Sequence, residues 1–168
     1  KCFLWLCNFI NEKQNIFYFE NKFILGKSNS SIDTFDILLF ARRDIKEAMI
    51  PTFVKKICFG SFFSCEKLEK ISIPSNVTKI GKSAFNCCSN LNKVEIQYNS
   101  NLQKIGEYAF INCPVKSFLI PRSVRKIGSY AFVNKCSFQI VEIEENSQLE
   151  SINKNDFNRF CIIMVPPQ

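Results

Sequence analysis

Hydrophobic and polar positions follow one recurring order along most of this chain. Each unit opens with a Leu-x-x-Ile-x-Ile type of segment, and hydrophobic residues with a period of two are typical of a half-buried β-strand. The last hydrophobic residue of the segment recurs at intervals of 23, 23, 24 and 23 residues, at Ile50, Ile73, Ile96, Ile120 and Ile143. An interval held this closely indicates an internal repeat.

The remainder of each unit is repeated as well. A turn that usually contains Pro leads to a short Val-x-x-Ile segment and then to Ala-Phe and Cys, and residues 73–88 show this order most completely. A Leu-rich core with a period of about 20–29 residues is typical of a leucine-rich repeat solenoid. We therefore predict an α/β repeat solenoid, a right-handed coil with a parallel β-sheet on its concave side. Short second strands and single helical turns are predicted on its convex side.

The repeat predicts where these elements fall. First strands are predicted near 46–50, 69–73, 92–96, 116–120 and 140–143. Second strands are predicted near 77–80, 102–105 and 124–127. Helical turns are predicted near 82–86, 107–111 and 129–133.

Equivalent side chains of successive coils are expected to lie above one another, because neighbouring strands repeat at roughly 4.8 Å. The isoleucines that close the first strands then form one buried column. Phenylalanines form a second column: Phe62, Phe85, Phe110, Phe132 and Phe157. Burying one ring removes about 150–250 Å² from water, which is roughly 4–6 kcal/mol before the entropy of folding is counted. We interpret these rings as core rather than as a ligand site.

The motif Ile-Pro-x-x-Val-x-x-Ile-Gly-x-x-Ala-Phe-x-x-Cys-x-x-Leu resembles the BspA-type leucine-rich repeat, which occurs in surface antigens of oral bacteria and of parasitic protists. The resemblance covers about residues 45–165, and the leader at 30–46 resembles a spacer of the protist members. It implies a non-enzymatic cell-surface or scaffold protein that binds other proteins. The motif of the family consists of packing residues, so it assigns no catalytic or ligand-binding position to this chain.

Residues 1–44 follow the repeat poorly, and we predict that they form an N-terminal cap or spacer, with a decayed repeat as the alternative. Residues 16–19 and 23–25 flank a polar turn, which predicts a hairpin. Residues 45–168 are predicted to hold about five coils of about 23 residues each. A solenoid needs a covered end, because an open terminal coil exposes its core and a strand edge.

Both termini lead us to expect a segment of a longer protein or a short gene copy. The chain does not begin with Met and shows no signal-peptide pattern, and Val165-Pro166 resembles the Ile-Pro that opens another coil. The apolar run at 2–10 is too short to span a bilayer, and no run of about 18 apolar residues occurs elsewhere. From the family resemblance we expect a location on the cell surface, with the cytoplasm as the alternative.

Charge is distributed unevenly. The formal net charge is +7, and residues 48–137 hold thirteen basic and four acidic residues. Four lysines directly precede the buried Ile of each second strand: Lys56, Lys79, Lys104 and Lys126. We interpret them as a solvated face whose aliphatic stems cover apolar surface. The alternative is a basic stripe that binds acidic glycans or phosphates. Specific nucleic-acid binding is not expected, because the stripe lacks interleaved aromatic residues.

Four of the nine cysteines share one repeat position: Cys65, Cys88, Cys113 and Cys136. A column of small buried apolar groups explains this spacing best. A disulfide framework fits less well because the count is odd. Zinc fits poorly because the chain has no Cys-x-x-Cys pair and no His. A reactive thiol among the other five cysteines is the remaining alternative.

The concave face is the default binding surface of such a solenoid. Alternation along the first strands places both charged and apolar side chains on it. Met49, Leu119 and Ile140 are apolar where solvent is expected, and they are candidates for a contact patch, with harmless scatter of surface residues as the alternative. The candidate protein-contact residues are Met49, Lys70, Lys93, Glu95, Leu119, Ile140 and Glu142.

The sequence does not predict an enzyme. It has no His to act as a general base, no Gly-rich phosphate loop and no pair of suitably spaced carboxylates. We therefore predict no catalytic, cofactor-binding or metal-binding residue. Three functions remain open: a surface adhesion module that binds a host or matrix protein, an intracellular protein scaffold, and a polyanion binder that uses the four lysines.

Overall fold

The structure, a computed structural model, describes most of the chain as short strands joined by turns. The described residues are 16–31, 33–133, 139–153, 155–157 and 161–165. The strands are β1 (Ile16–Phe19), β2 (Phe23–Gly26), β3 (Ile37–Ala41), β4 (Glu47–Met49), β5 (Lys56–Ile57), β6 (Lys70–Ile73), β7 (Lys79–Ile80), β8 (Lys93–Ile96), β9 (Lys104–Ile105), β10 (Ser117–Ile120), β11 (Lys126–Ile127), β12 (Gln139–Ile143) and β13 (Cys161–Met164).

Two sets of strands run along the stack of coils. The second strands join the N-terminal strands in one seven-stranded sheet, in the order β1-β2-β3-β5-β7-β9-β11. The first strands form two three-stranded sheets, β4-β6-β8 and β10-β12-β13. Neighbouring strands are parallel from β3 onward, and only β1, β2 and β3 pair antiparallel within the described residues. The predicted repeat solenoid is therefore confirmed, together with its first and second strands.

Equivalent residues pair directly across the coils. Ile57 lies opposite Ile80 and Ile80 lies opposite Ile105 in the second strands. In the first strands Ile73 lies opposite Ile96. This register is specified by burial, because a slip of one residue would move the inward side chains to the outer face.

A file of phenylalanine rings passes through the core. Its members are Phe62, Phe85, Phe110, Phe132 and Phe157, none of which is more than 5% exposed. Successive rings stack with centroids 4.7, 4.9, 5.4 and 5.4 Å apart. The predicted phenylalanine column is confirmed, and its spacing follows the spacing of the strands beside it.

The predicted helical turns on the convex side are wrong, because the described residues contain no helix and the predicted segments are chains of tight turns. The second residue of each segment has a left-handed backbone, which an α-helix of L-residues excludes. These residues are Ser83, Tyr108 and Tyr130, with φ of 53°, 56° and 60°.

Hydrogen bonds explain why turns are preferred to helix. The N–H of Ala84 donates to the carbonyl of Gly81 within its own coil, at 3.3 Å. The next N–H, that of Phe85, donates to the carbonyl of Ala109 in the following coil, at 2.8 Å. Alternate N–H groups thus close turns and link coils, whereas a helix would use its N–H groups along its own axis.

The N-terminal strands lie at one end of this stack. β1 and β2 form the predicted antiparallel hairpin, and its turn residues Glu20 and Asn21 have φ of 48° and 52°. Positive φ at both central positions suits the twist of a tight hairpin. β3 continues the sheet and pairs parallel with β5, in the place of a second strand. Phe23 is 2% exposed, and its ring meets Phe62 edge-on at 6.1 Å.

The sheet of first strands, predicted as one, is divided between β8 and β10. Two departures from the repeat coincide with this break: a longer loop at 97–101, and Pro114, which shortens the segment before β10. Pro also lacks an N–H with which to bond a neighbouring coil. Ile96 of β8 is only partly buried, whereas the equivalent Ile73 is fully buried.

Candidate functional site

The outward side chains of the first strands form a surface that we call the first-strand face, and it is the face that the sequence predicts to be concave. Alternate residues point away from the core, and on β4, β6 and β10 they are more exposed than their neighbours. The face carries Glu47, Met49, Lys70, Ser72, Lys93, Glu95, Ser117, Leu119, Ile140, Glu142, Ile162 and Met164. All seven predicted contact residues therefore lie on it, although the break in the sheet separates them into two groups.

The N-terminal half of the first-strand face, on β4, β6 and β8, is charged. Glu95 accepts ion-pair contacts from Lys93 at 2.8 Å and from Lys70 at 3.0 Å. Hydrogen bonds from Lys93 and then from Lys70 lower the pKa of the Glu95 carboxyl, and the same contact raises the pKa of Lys93. Between 38% and 60% of each of these three side chains is exposed, so water screens their attraction and the network adds little to stability.

A shallow depression of about 270 Å³ lies on this charged half. Its lining includes Glu47, Lys70, Ser72 and Glu95, and Met49 stands at its side with 75% of its surface exposed. The depression combines both signs of charge with one exposed apolar side chain. It can accept a polar partner surface, and it holds no arrangement of groups suited to bond cleavage.

The C-terminal half of the face, on β10, β12 and β13, is mainly apolar. Leu119 is 43% exposed, Ile162 is 46% exposed and Met164 is 52% exposed. Ile140 is half-buried and lies between Ser117 and Ile162 in register. We call Leu119, Ile140, Ile162 and Met164 the apolar patch.

Strand β13 contributes two members of the apolar patch that the sequence argument missed. Ile162 and Met164 pair with Ile140 and Glu142 of β12, so they extend the face by one coil. The apolar run Cys161-Ile162-Ile163-Met164 directly before Val165-Pro166 was a usable signal, because an apolar segment before Ile-Pro marks the first strand elsewhere in this chain.

The four predicted lysines lie side by side on the seven-stranded sheet. Lys56 pairs in register with Lys79, and Lys79 pairs with Lys104, which pairs with Lys126. All four are exposed. Lys126 also contacts Glu150 at 3.3 Å, and the other three form no ion pair within the described part of the chain. Like charges on directly neighbouring strands are destabilising, so this lysine column opposes the packing that surrounds it.

The cysteine column is buried and bonded to backbone. The thiol of Cys88 donates to the carbonyl of Phe62 at 3.0 Å, and that of Cys113 donates to the carbonyl of Phe85 at 2.9 Å. The thiol of Cys113 and then burial raise the pKa of Cys88 far above its ordinary value. A thiol held neutral and enclosed in this way is unreactive. Cys136, the predicted fourth member, lies outside the described residues.

Neither a metal site nor a membrane span was found in the parts of the chain that the structure describes. No three His, Cys, Asp or Glu side chains there are grouped so that they could hold a metal ion. No helix there is long and apolar enough to cross a membrane.

Coils of two short parallel strands, stacked in register over a file of phenylalanines, define this molecule as a leucine-rich repeat solenoid. The family model described as "BspA type Leucine rich repeat region" matches residues 33–164 of the sequence in six copies. The chain belongs to this family. Leucine-rich repeat proteins are generally non-enzymatic, and nothing in the family match or in the fold points to catalysis.

Solved structures share the fold. The pneumococcal vaccine antigen PcpA is 26% identical with a TM-score of 0.52, and the match covers 60% of this chain and 31% of that chain. The T. pallidum leucine rich repeat protein TpLRR is 24% identical with a TM-score of 0.54, covering 73% of this chain and 69% of that one. A leucine-rich repeat protein from Bacteroides capillosus is 17% identical with a TM-score of 0.54, covering 90% and 93%.

The match to this chain therefore spans 31% of the length of the PcpA chain, which is about a third. The comparison with curated proteins found no match.

Proposed function

We propose that this chain is a non-enzymatic protein-binding module and that its first-strand face is the binding surface. The observation that supports the proposal most directly is the set of exposed apolar side chains on that face. Met49 is 75% exposed and Leu119 is 43% exposed, on strands whose inward residues are fully buried. Large apolar side chains held in solvent by a rigid sheet are typical of a surface that another protein covers.

Rigidity supports the same proposal. On β4, β6, β10 and β12 the outward side chains stand on strands whose inward residues pack in the continuous core, such as Phe118 beneath Leu119 and Val141 beneath Glu142. A partner that binds here orders few backbone groups of this chain, so little conformational entropy opposes association.

The test of the binding surface uses matched charged variants. Immobilised wild-type protein and the double variant L119K/I140K are exposed to the same extract of host cell-surface and matrix proteins, and captured proteins are quantified. We expect a set of proteins that the wild type captures and the double variant loses. The control is T52K/S89K, which adds the same two positive charges at exposed turn residues outside both the first-strand face and the lysine column, and it should retain the set. An identical set on both L119K/I140K and wild type would rule out the first-strand face.

We propose a location on the cell surface, where the module would bind a host or matrix protein. The resemblance to surface antigens supports this location, and an intracellular scaffold of the same fold is the alternative. We expect an epitope tag on the full-length protein to be detected on intact cells without permeabilisation. Detection only after permeabilisation would favour the scaffold.

A second candidate function is the binding of acidic glycans by the lysine column. The supporting observation is the side-by-side register of Lys56, Lys79 and Lys104, which lack an ion pair within the described residues. Titration with heparin at increasing salt concentration tests this function. Release of counterions makes the affinity for a polyanion fall steeply as salt is added. Binding that is absent, or independent of salt, would exclude this function.

We also propose that residues 1–44 cap the stack and that residues 45–168 form its coils. The support within the described residues is that β2 pairs with β3 and places Phe23 against the first ring of the phenylalanine file.

A further inference from the structure

The apolar patch surrounds one carboxylate. Glu142 lies directly between Leu119 and Met164 in register on the three neighbouring strands β10, β12 and β13. The preceding outward residue of the same strand, Ile140, lies between Ser117 and Ile162. A single exposed acidic group is thus bordered by apolar side chains on both sides and along its own strand.

Unlike Glu95, Glu107 and Glu150, Glu142 is reached by no basic side chain of the described residues. The same holds for Glu47 on the charged half of the face and for Glu69 and Glu144, so what distinguishes Glu142 is its apolar border. Glu95 contacts two lysines, Glu107 contacts Lys82 at 2.8 Å and Glu150 contacts Lys126 at 3.3 Å. No such ion pair is formed by Glu142 within the described ranges. Its charge remains available to a group from outside.

The break in the sheet of first strands confines this arrangement to the C-terminal half of the face. β8 and β10 are unpaired, so the Lys70, Lys93 and Glu95 network belongs to a different sheet from Glu142. The two halves therefore present different chemistry: a neutralised charge network on one, and an apolar patch with an unneutralised carboxylate on the other.

We propose, building on the protein-binding function proposed above, that the apolar patch binds an apolar peptide segment of a partner protein that carries one Lys or Arg opposite Glu142. Covering Leu119, Ile162 and Met164 removes apolar surface from water. The same event removes water from Glu142, and a carboxylate covered without a partner opposes binding. A basic residue at this position restores a charge pair, and an acidic one is repelled, so the patch selects the sign of the charge.

The test selects binders without assuming a natural partner. A random peptide display library is selected on the wild-type chain and on E142K, and each selection is depleted beforehand on L119K/I162K. We expect the wild type to enrich apolar peptides with one Lys or Arg, and E142K to enrich apolar peptides with Asp or Glu. E145K is the matched control, because Glu145 lies in the loop after β12 and should leave the wild-type preference unchanged.

A double-mutant cycle then measures the pair itself. A selected peptide and its Lys→Met analogue are titrated against wild type and E142Q. Each single change should weaken binding about threefold to thirtyfold, and the second change should add little once the first is made, because both remove one pair. Circular dichroism and thermal unfolding check that each variant is folded, as we expect because substitutions at the surface change stability little.

The outcomes separate the two proposals. Peptides that bind the patch but show no charge preference, or an affinity that E142Q leaves unchanged, overturn the role of Glu142 and leave protein binding by the face intact. A library from which no binder survives depletion on L119K/I162K contradicts peptide binding by the apolar patch, and the capture experiment with L119K/I140K then decides separately whether the first-strand face binds protein.

Discussion

Phe85 and Phe110 occupy equivalent positions in successive coils, and their rings stack with centroids 4.9 Å apart and planes 4° from parallel. The separation is close to the spacing of roughly 4.8 Å between neighbouring strands. Each inner ring of the file therefore contacts a ring on both sides, and no coil completes its own core.

Removal of one ring should therefore damage two coil interfaces. We expect Phe110→Ala to reduce the free energy of unfolding by about 3–5 kcal/mol, because the lost ring leaves a cavity among fully buried side chains. Urea denaturation followed by circular dichroism measures the change. The control is Phe63→Ala, at a ring that is 44% exposed, which should change stability by less than about 1 kcal/mol. Equal effects at both sites would contradict the central role of the file.

The strands and columns could be predicted from the sequence because the interval between equivalent isoleucines states which residues must share an environment. Ile73 and Ile120, for example, can both be buried only if the chain returns to the same place once per unit. The turns could not be predicted in this way. Ser83 and Tyr108 adopt left-handed backbones for which neither has a strong preference, and the bonds that hold them there come from the next coil.

Three coils carry a glycine at the same position, and close packing of the turns explains why. An added Cβ at Gly106 would lie 2.5 Å from the backbone nitrogen of Lys82 and 2.6 Å from the carbonyl carbon of Gly81. We expect Gly106→Ala to destabilise the fold by about 2–4 kcal/mol, because backbone atoms cannot move aside as a side chain can.

Gly26 provides the control for this substitution. A Cβ there would meet the end of the Leu39 side chain at 2.9 Å, and that group can rotate away. Gly26→Ala should therefore lower the thermal midpoint much less than Gly106→Ala. A similar loss for both variants would show that the close backbone approach at Gly106 is not what requires glycine.

The candidate site could be predicted only in part, and the reason is again physical. Alternation along the strands identifies the outward residues and so places Leu119 and Glu142 on the first-strand face. Alternation does not reveal which strands pair, so the break between β8 and β10 and the contribution of Met164 were missed. Pairing depends on the length and hydrogen-bonding capacity of the connecting segments, where Pro114 departs from the repeat.

The inward side chains of the last two first strands differ in burial, and this difference predicts unequal effects of one substitution. Val141 is fully buried, whereas its neighbour in register, Ile163, is 37% exposed. We expect Val141→Thr to cost about 1–3 kcal/mol, because its hydroxyl is removed from water. Ile163→Thr should cost less than about 1 kcal/mol, and urea denaturation compares the two. A cost at Ile163 as large as that at Val141 would mean that solvent does not reach this position in solution.

The buried thiols predict a loss of stability in alkali. The pKa of Cys65 is raised by the thiol of Cys88 and by burial, and that of Cys88 by the thiol of Cys113 and by burial, from an ordinary value near 9.0. The unfolded chain releases these protons above pH 9.0 while the folded chain retains them, so the unfolded state binds fewer protons. The contribution of these thiols to the free energy of unfolding is fully present below that pH. It falls as pH rises, by up to about 1.4 kcal/mol per pH unit for each thiol.

Denaturation midpoints measured between about pH 7 and pH 10.5 test this slope, because thiols of the unfolded chain ionise over this range. Cys88→Ala removes one ionising group, so its stability should fall less steeply with pH than that of the wild type, although it starts lower. Cys87→Ala is the control, at a neighbouring thiol that is only partly buried. Equal slopes for wild type and Cys88→Ala would contradict the expected pKa of this thiol.

The lysine column predicts a substitution that stabilises the fold. Lys79 lies between Lys56 and Lys104 in register, so replacing it with Gln removes two repulsive contacts. We expect Lys79→Gln to raise the thermal midpoint by about 1–2 °C at low ionic strength, and the gain should vanish in high salt because salt screens exposed charges. Lys126→Gln is the matched control, since it removes one such contact but also the contact with Glu150 at 3.3 Å, and it should bring no gain. A gain at Lys79 that persists in high salt would show that the cause is packing of the side chain rather than repulsion between the lysines.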